Sequence, residues 1–174
     1  QKQSNPALSH QLAQLELPEM DDEYLLRHLQ DWLLPHLTGQ NSIKKLQSLN
    51  LFNILSAAIP WQQQKLLDDL APTHMAVPSG SRIAIDYSDP QVPVLAVRLQ
   101  ELFGQKQTPA IINGQFNLLI HLLSPGYQPM QVTQDLASFW KHTYFEVKKE
   151  LCGKYKKHYW PDDPLTAQAT SKTK

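Results

Sequence analysis

The sequence predicts an α+β fold: a helical N-terminal part, then a small mixed module of hairpins and C-terminal helices, with barrel-like closure of its strands as an open option. Two observations carry this reading. Apolar residues recur every three to four positions up to Leu70, then every second position after Ala71-Pro72, and these are the periods of a helix face and a strand face. Beyond Leu136 the helical spacing returns.

Residues 1–17 are polar, lack a period and are expected to be a flexible lead-in. A helical segment spans 18–70. Pro18 and the acidic turn Glu19, Asp21, Asp22 and Glu23 suit a helix start, with Leu25, Leu29, Trp32 and Leu33 along one face until Pro35. Ser42 is placed to cap a helix carrying Ile43, Leu46 and Leu49. Leu51 to Ile59 continues it, with Asn50 as a dividing point, and Pro60 opens the helix of Trp61, Leu66, Leu67 and Leu70. This part is acidic, with five basic and eight acidic residues among the first 70.

The module at 71–165 begins with a hairpin, in which Met75 and Val77 face Ile83, Ile85 and Tyr87 across Pro78-Ser79-Gly80. Leu95, Leu99, Leu102 and Phe103 fit one helical face ended by Gly104, although Val94 to Val97 also fits a strand. A second hairpin is expected at Asn113-Gly114, leading into a strand of Phe116, Leu118, Ile120 and Leu122, covered on its other face as well by Leu119 and Leu123. Met130 and Val132 make a short strand. A helix starts at Leu136, Thr143 and Glu146 read as a capping box for the next, and Gly153 ends it. Residues 166–174, TAQATSKTK, are expected to be a disordered tail.

The 174 residues make one domain or two small ones and need no staple. The single cysteine, Cys152, allows no intramolecular disulfide and reads as a small buried hydrophobe in a reducing compartment. No apolar run approaches the ~20 residues that span a bilayer, and the N-terminus has no leader pattern, so a cytoplasmic location without a membrane partner is expected. Phosphate-loop, dinucleotide-loop, H-E-x-x-H and C-x-x-C patterns are all absent from the sequence. Neither His74 nor His121 has a nearby acidic or nucleophilic partner, so no catalytic, cofactor or metal residue is assigned.

The chemistry that stands out lies between Lys141 and Lys157. Six lysines (Lys141, Lys148, Lys149, Lys154, Lys156 and Lys157) against two glutamates give a local charge of +4 in a chain of net charge 0. Phe139, Trp140, Tyr144, Phe145, Tyr155, Tyr159 and Trp160 are interleaved. Ammonium groups for phosphates beside rings for bases is what single-stranded nucleic acid requires. The candidate contacts are the six lysines with Tyr155, Tyr159 and Trp160, and Arg82 as a further phosphate contact. The competing reading makes the rings core and the lysines a solvated face.

Leu70 to Tyr87 (LAPTHMAVPSGSRIAIDY), Pro93 to Gly104 (PVLAVRLQELFG) and above all Leu122 to Leu165 resemble the C-terminal domain of bacterial DEAH-box ATP-dependent RNA helicases of the HrpB type. The family pattern carries prolines after Gly-[Lys/Arg]-Tyr, where this sequence has Lys156 and Tyr159. The resemblance implies two upstream motor domains that bind ATP and magnesium, and a glutamine first residue fits a piece of such a chain. It implies no cofactor in the 174 residues themselves. The expected role is a non-catalytic, accessory nucleic-acid-binding module, with single-stranded RNA ahead of DNA as partner. The alternative is a docking domain that packs on the motor domains or another protein.

Overall fold

The computed structural model describes residues 20–37, 44, 47–89 and 91–172. By its contacts the chain divides into two compact units at Asp68/Asp69. Expectations for residues 1–19 and for a helix capped by Ser42 lie outside the described residues.

The first unit is helical. It holds α1 (Asp22–Arg27), α2 (Leu29–Trp32), a 3-10 turn (Leu34–His36), α3 (Leu51–Ala58) and most of α4 (Trp61–Leu70). Asp21 caps α1 by accepting from the Tyr24 amide at 2.7 Å, and Asn50 caps α3 by accepting from the Asn53 amide at 3.0 Å. A side-chain acceptor at these positions satisfies amides that have no partner inside the helix. Pro60 precedes α4, and its carbonyl accepts from the amides of Gln63 and Gln64. None of the described residues from 20 to 68 is buried.

The second unit holds the core. Its five-stranded sheet has the order β1-β2-β3-β6-β7, from β1 (His74–Ala76), β2 (Arg82–Asp86), β3 (Val94–Arg98), β6 (Leu119–Leu123) and β7 (Pro129–Thr133). All pairings are antiparallel except β3 with β6, which runs parallel from Val94↔Leu119 to Arg98↔Leu123. The crossover between them carries a 3-10 turn (Leu99–Leu102) and the small hairpin of β4 (Ala110–Ile111) and β5 (Phe116–Asn117). The sheet is open, with β1 and β7 at its edges, so it is α+β without barrel closure. Alternate residues Leu95, Val97, Ile120 and Leu122 are almost fully buried, and Leu136, Phe139, Trp140, Tyr144 and Leu151 join them in one core. These come from one helical run: α5 (Leu136–Ser138), a π-helical turn (Phe139–Thr143) and α6 (Tyr144–Lys154).

Several expectations are corrected. The stretch from Val94 is a strand followed by a 3-10 turn, not a helix, because pairing on both sides rewards its β-branched, alternating residues. The Asn113-Gly114 turn is four residues long, with Ile112 (φ 54°), Asn113 (φ 54°) and Gly114 (φ 79°) all left-handed. The hairpin strands end there, and β6 begins anew at Leu119, with Leu119 and Leu123 only half-covered. Thr143 caps nothing, since the helix runs straight through it in helical geometry. Cys152 is exposed.

The run from Thr166 to Lys172 is ordered rather than disordered. Ala167 and Ala169 pack on the core, and buried Gln100 donates to the carbonyls of Thr170 and Lys172 at 3.2 Å each. The Thr170 amide returns a bond to the Gln100 carbonyl at 3.1 Å. A buried amide needs partners, and the tail supplies them; the low hydrophobicity of TAQATSKTK gives no hint of that.

Candidate nucleic-acid interface

The π-helical turn decides which rings of the basic stretch are available. Asp135 caps the run by accepting from the Ser138 amide at 2.9 Å. The turn then puts Phe139, Trp140 and Tyr144 all inward, each at most 3% exposed. The Trp140 indole donates to the Gln105 carbonyl at 2.8 Å and the Tyr144 hydroxyl to the Pro161 carbonyl at 2.8 Å. Burial pushes the Tyr144 phenol well above its ordinary pKa, so it stays a donor. These three rings are core, as the competing sequence reading had it.

Two lysines are engaged in ion pairs. Lys148 is half-buried, pairs with Asp162 at 2.6 Å and donates to the Pro161 carbonyl at 2.9 Å. Lys154 pairs with Glu150 at 2.8 Å on the solvent side of α6. Hydrogen bonding from Lys148 holds the Asp162 carboxyl below the usual range, and the Glu150 bond raises Lys154. The Lys154–Glu150 pair is exposed on both sides and stabilises little, whereas Lys148 is held by two partners. Lys141, Lys149, Lys156 and Lys157 are exposed.

The candidates do not line one concavity. Lys141 lines a shallow concavity with Ala137, Phe145, Asp162 and Asp163, where two carboxylates compete for a cation. Tyr159 borders another with Gln168, Ala169 and Thr170. Lys154, Tyr155, Lys156 and Lys157 line a third, with Gly153 and His158 and no carboxylate among the lining residues. Arg82, exposed at the start of β2, lines none of the three.

The rings near the third concavity are held by polar contacts. The Tyr155 hydroxyl lies 3.1 Å from Ser124 Oγ, and the Trp160 indole donates to the Tyr155 carbonyl at 3.2 Å. Trp160 also meets Phe103 edge-on at 6.4 Å. His158 Nδ1 lies 2.9 Å from Gln100 Oε1; since an amide oxygen only accepts, Nδ1 carries the proton. Burial first and the Arg98 charge second lower the His158 pKa, so its ring is neutral at neutral pH. Among the described residues no three histidine, cysteine or acidic side chains converge on a metal position.

Sequence reasoning missed the partner of this segment. Ser124, 1% exposed, sits in the turn between β6 and β7 and fixes Tyr155 from the side of the sheet. Ser124-Pro125-Gly126 announces a turn, but no spacing in the chain says which segment it will meet.

Three comparisons with known proteins agree. The family described as ATP-dependent helicase C-terminal matches residues 32–164. The ATP-dependent RNA helicase HrpB of Escherichia coli (strain K12) is 47% identical over 163 residues, covering 94% of this chain and 20% of that protein. A crystal structure of the E. coli DExH-box NTPase HrpB superimposes with a TM-score of 0.83 at 46% identity, covering 96% of this chain and 21% of the other. A second structure, of the E. coli DEAH/RHA helicase HrpB, gives 0.69 at 44% identity, covering 88% and 19%. The chain thus spans about a fifth of the length of these relatives.

Proposed function

This chain belongs to the HrpB-type ATP-dependent helicase C-terminal family, and from that premise we propose that it is an accessory single-strand-binding module of an ATP-dependent RNA helicase. The supporting observation is the concavity at 153–158, where the exposed Lys156 and Lys157 stand beside Lys154, whose partner Glu150 lies outside the lining. Phosphates are held there by ammonium groups while the motor portion releases and regrips the strand. In this reading ATP and magnesium act in that motor portion, and the 174 residues serve it. Their own contribution is binding and orientation.

Binding of labelled oligouridine by fluorescence anisotropy tests this. Four engaged phosphates give a slope of log K against log[salt] of about −3 for a single strand. Changing Lys156 and Lys157 to alanine should shallow that slope by about 1.4 and weaken binding at low salt. Affinity and slope untouched by both changes would refute the reading.

A docking role has its own support in the first unit. Leu26 and Phe52 are 68% exposed and Trp61 72% exposed on helices that bury no residue of the first unit, and exposed large apolar groups in number mark interaction surfaces. In this second reading the unit packs on the motor portion of the same protein. Capture of the 174-residue chain by the separately produced motor portion should then fall at least about tenfold when Phe52 and Trp61 become serine, since each ring removed from an interface costs on the order of 1–2 kcal/mol. Capture that follows the lysine changes instead would count against it.

A further inference from the structure

We propose that Tyr127, on the turn between β6 and β7, is the base-stacking platform for the strand held at Lys154–Lys157; this rests on the single-strand reading above. Four observations converge on it.

Its ring is 65% exposed, against 48% for Phe145 and 45% for Tyr159, the other exposed aromatics described in this unit. The Arg98 guanidinium carbon lies 5.1 Å from the ring centroid. Cation and ring attract at that distance, so the ring is braced from beneath while remaining open to solvent over most of its area.

The backbone is also strained. Tyr127 has φ 61°, the left-handed region that a bulky side chain rarely adopts. Glycine would suit this position better, so the tyrosine is there despite the backbone. The surrounding turn enforces the conformation: the Tyr127 amide donates to the Ser124 carbonyl at 2.9 Å, the Ser124 amide to the Gln128 carbonyl at 2.8 Å, and the Gln128 amide to Ser124 Oγ at 3.1 Å.

The same serine hydroxyl reaches Tyr155, between Lys154 and Lys156. Gly126 lies so close to that phenol that a Cβ there would fall 2.7 Å from the Tyr155 oxygen. The turn carrying Tyr127 is therefore clamped directly against the lysine segment. A strand whose phosphates lie on Lys154, Lys156 and Lys157 has an exposed, braced ring within reach of its bases, whereas the Tyr155 hydroxyl and the Trp160 indole are tied to neighbours.

Binding of oligouridine and of a matched strand with abasic sites to the 174-residue chain tests the proposal. Tyr127→Ala should weaken oligouridine about 5- to 150-fold, the range for losing one stacked base, with the salt slope unchanged. The abasic strand should bind wild type and variant alike. Tyr127→Phe should retain wild-type affinity. Tyr127→Gly should show the same loss with a thermal midpoint no lower than wild type, because it relieves the φ; a merely structural role would lower both. Oligouridine affinity unchanged by Tyr127→Ala, or an equal loss on the abasic strand, overturns the platform while leaving the lysine effect in place. If the lysine changes too are silent, the single-strand reading itself has failed.

Discussion

Tyr144→Ala should lower the unfolding free energy of the second unit by about 3–5 kcal/mol, the cost of emptying a large aromatic site that cannot fully collapse. Tyr144 is 0% exposed and meets Phe103, Trp140 and Phe139 edge-on or tilted, at centroid distances of 6.3, 5.5 and 6.4 Å. Aromatic pairs in these geometries add to the stabilisation from burial alone. The hydroxyl is a separate, smaller matter. Tyr144→Phe removes the bond to the Pro161 carbonyl, but that oxygen keeps Lys148 Nζ at 2.9 Å, so the loss should be near ~1 kcal/mol. Urea unfolding of the two variants separates ring from hydroxyl. A Tyr144→Ala cost below ~1.5 kcal/mol would contradict the packing described for the π-helical turn. The consequence reaches the candidate interface, because the chain from Tyr155 to Pro161 is anchored at one end by the Tyr144 hydroxyl.

What could be read from the chain depended on how local its cause was. The β1–β2 hairpin, the division of the helices at Asn50 and the helix of Trp61 to Leu70 follow from residues within a few positions of each other, and all were legible. Val94 to Val97 was ambiguous because a buried strand and a buried helix segment share the same short apolar run; parallel pairing with residues 119–123 decides it. The π-helical turn was invisible. One extra residue per turn lets Phe139, Trp140 and Tyr144 share one face, whereas the threonine and glutamate at 143 and 146 suggested a fresh helix start. The order of the tail has a related, non-local cause, a buried glutamine 70 residues earlier. In the candidate interface the charge cluster was legible, but the sorting of its lysines between ion pairs and two concavities depends on where Asp162, Glu150 and Ser124 fold.

The second large effect is expected at Glu101. Its carboxylate is 2% exposed and accepts from Arg98 Nε at 3.0 Å, Ser81 Oγ at 2.6 Å and Ser79 Oγ at 3.1 Å. Burial by itself raises the pKa of such a group, but the bonds from Arg98, Ser81 and Ser79 and the Arg98 charge outweigh it, and the net shift is downward from 4.5. Glu101→Ala should cost about 2–4 kcal/mol, since it strands a largely buried guanidinium and two hydroxyls without their acceptor. The sign of the pH effect follows from linkage. A carboxyl lowered by folding contributes stability that is fully present above its unfolded pKa and disappears as pH falls through its folded one. Wild type should therefore lose stability more steeply than Glu101→Gln as pH drops below about 4.5, in urea titrations at matched ionic strength. Parallel acid limbs would mean the carboxylate is not held as described. Arg98 connects this cluster to the proposed stacking platform: the guanidinium that Glu101 fixes is the one beneath Tyr127. Glu101→Gln should accordingly weaken oligouridine binding at neutral pH, where the fold is intact, and should leave the abasic strand unaffected.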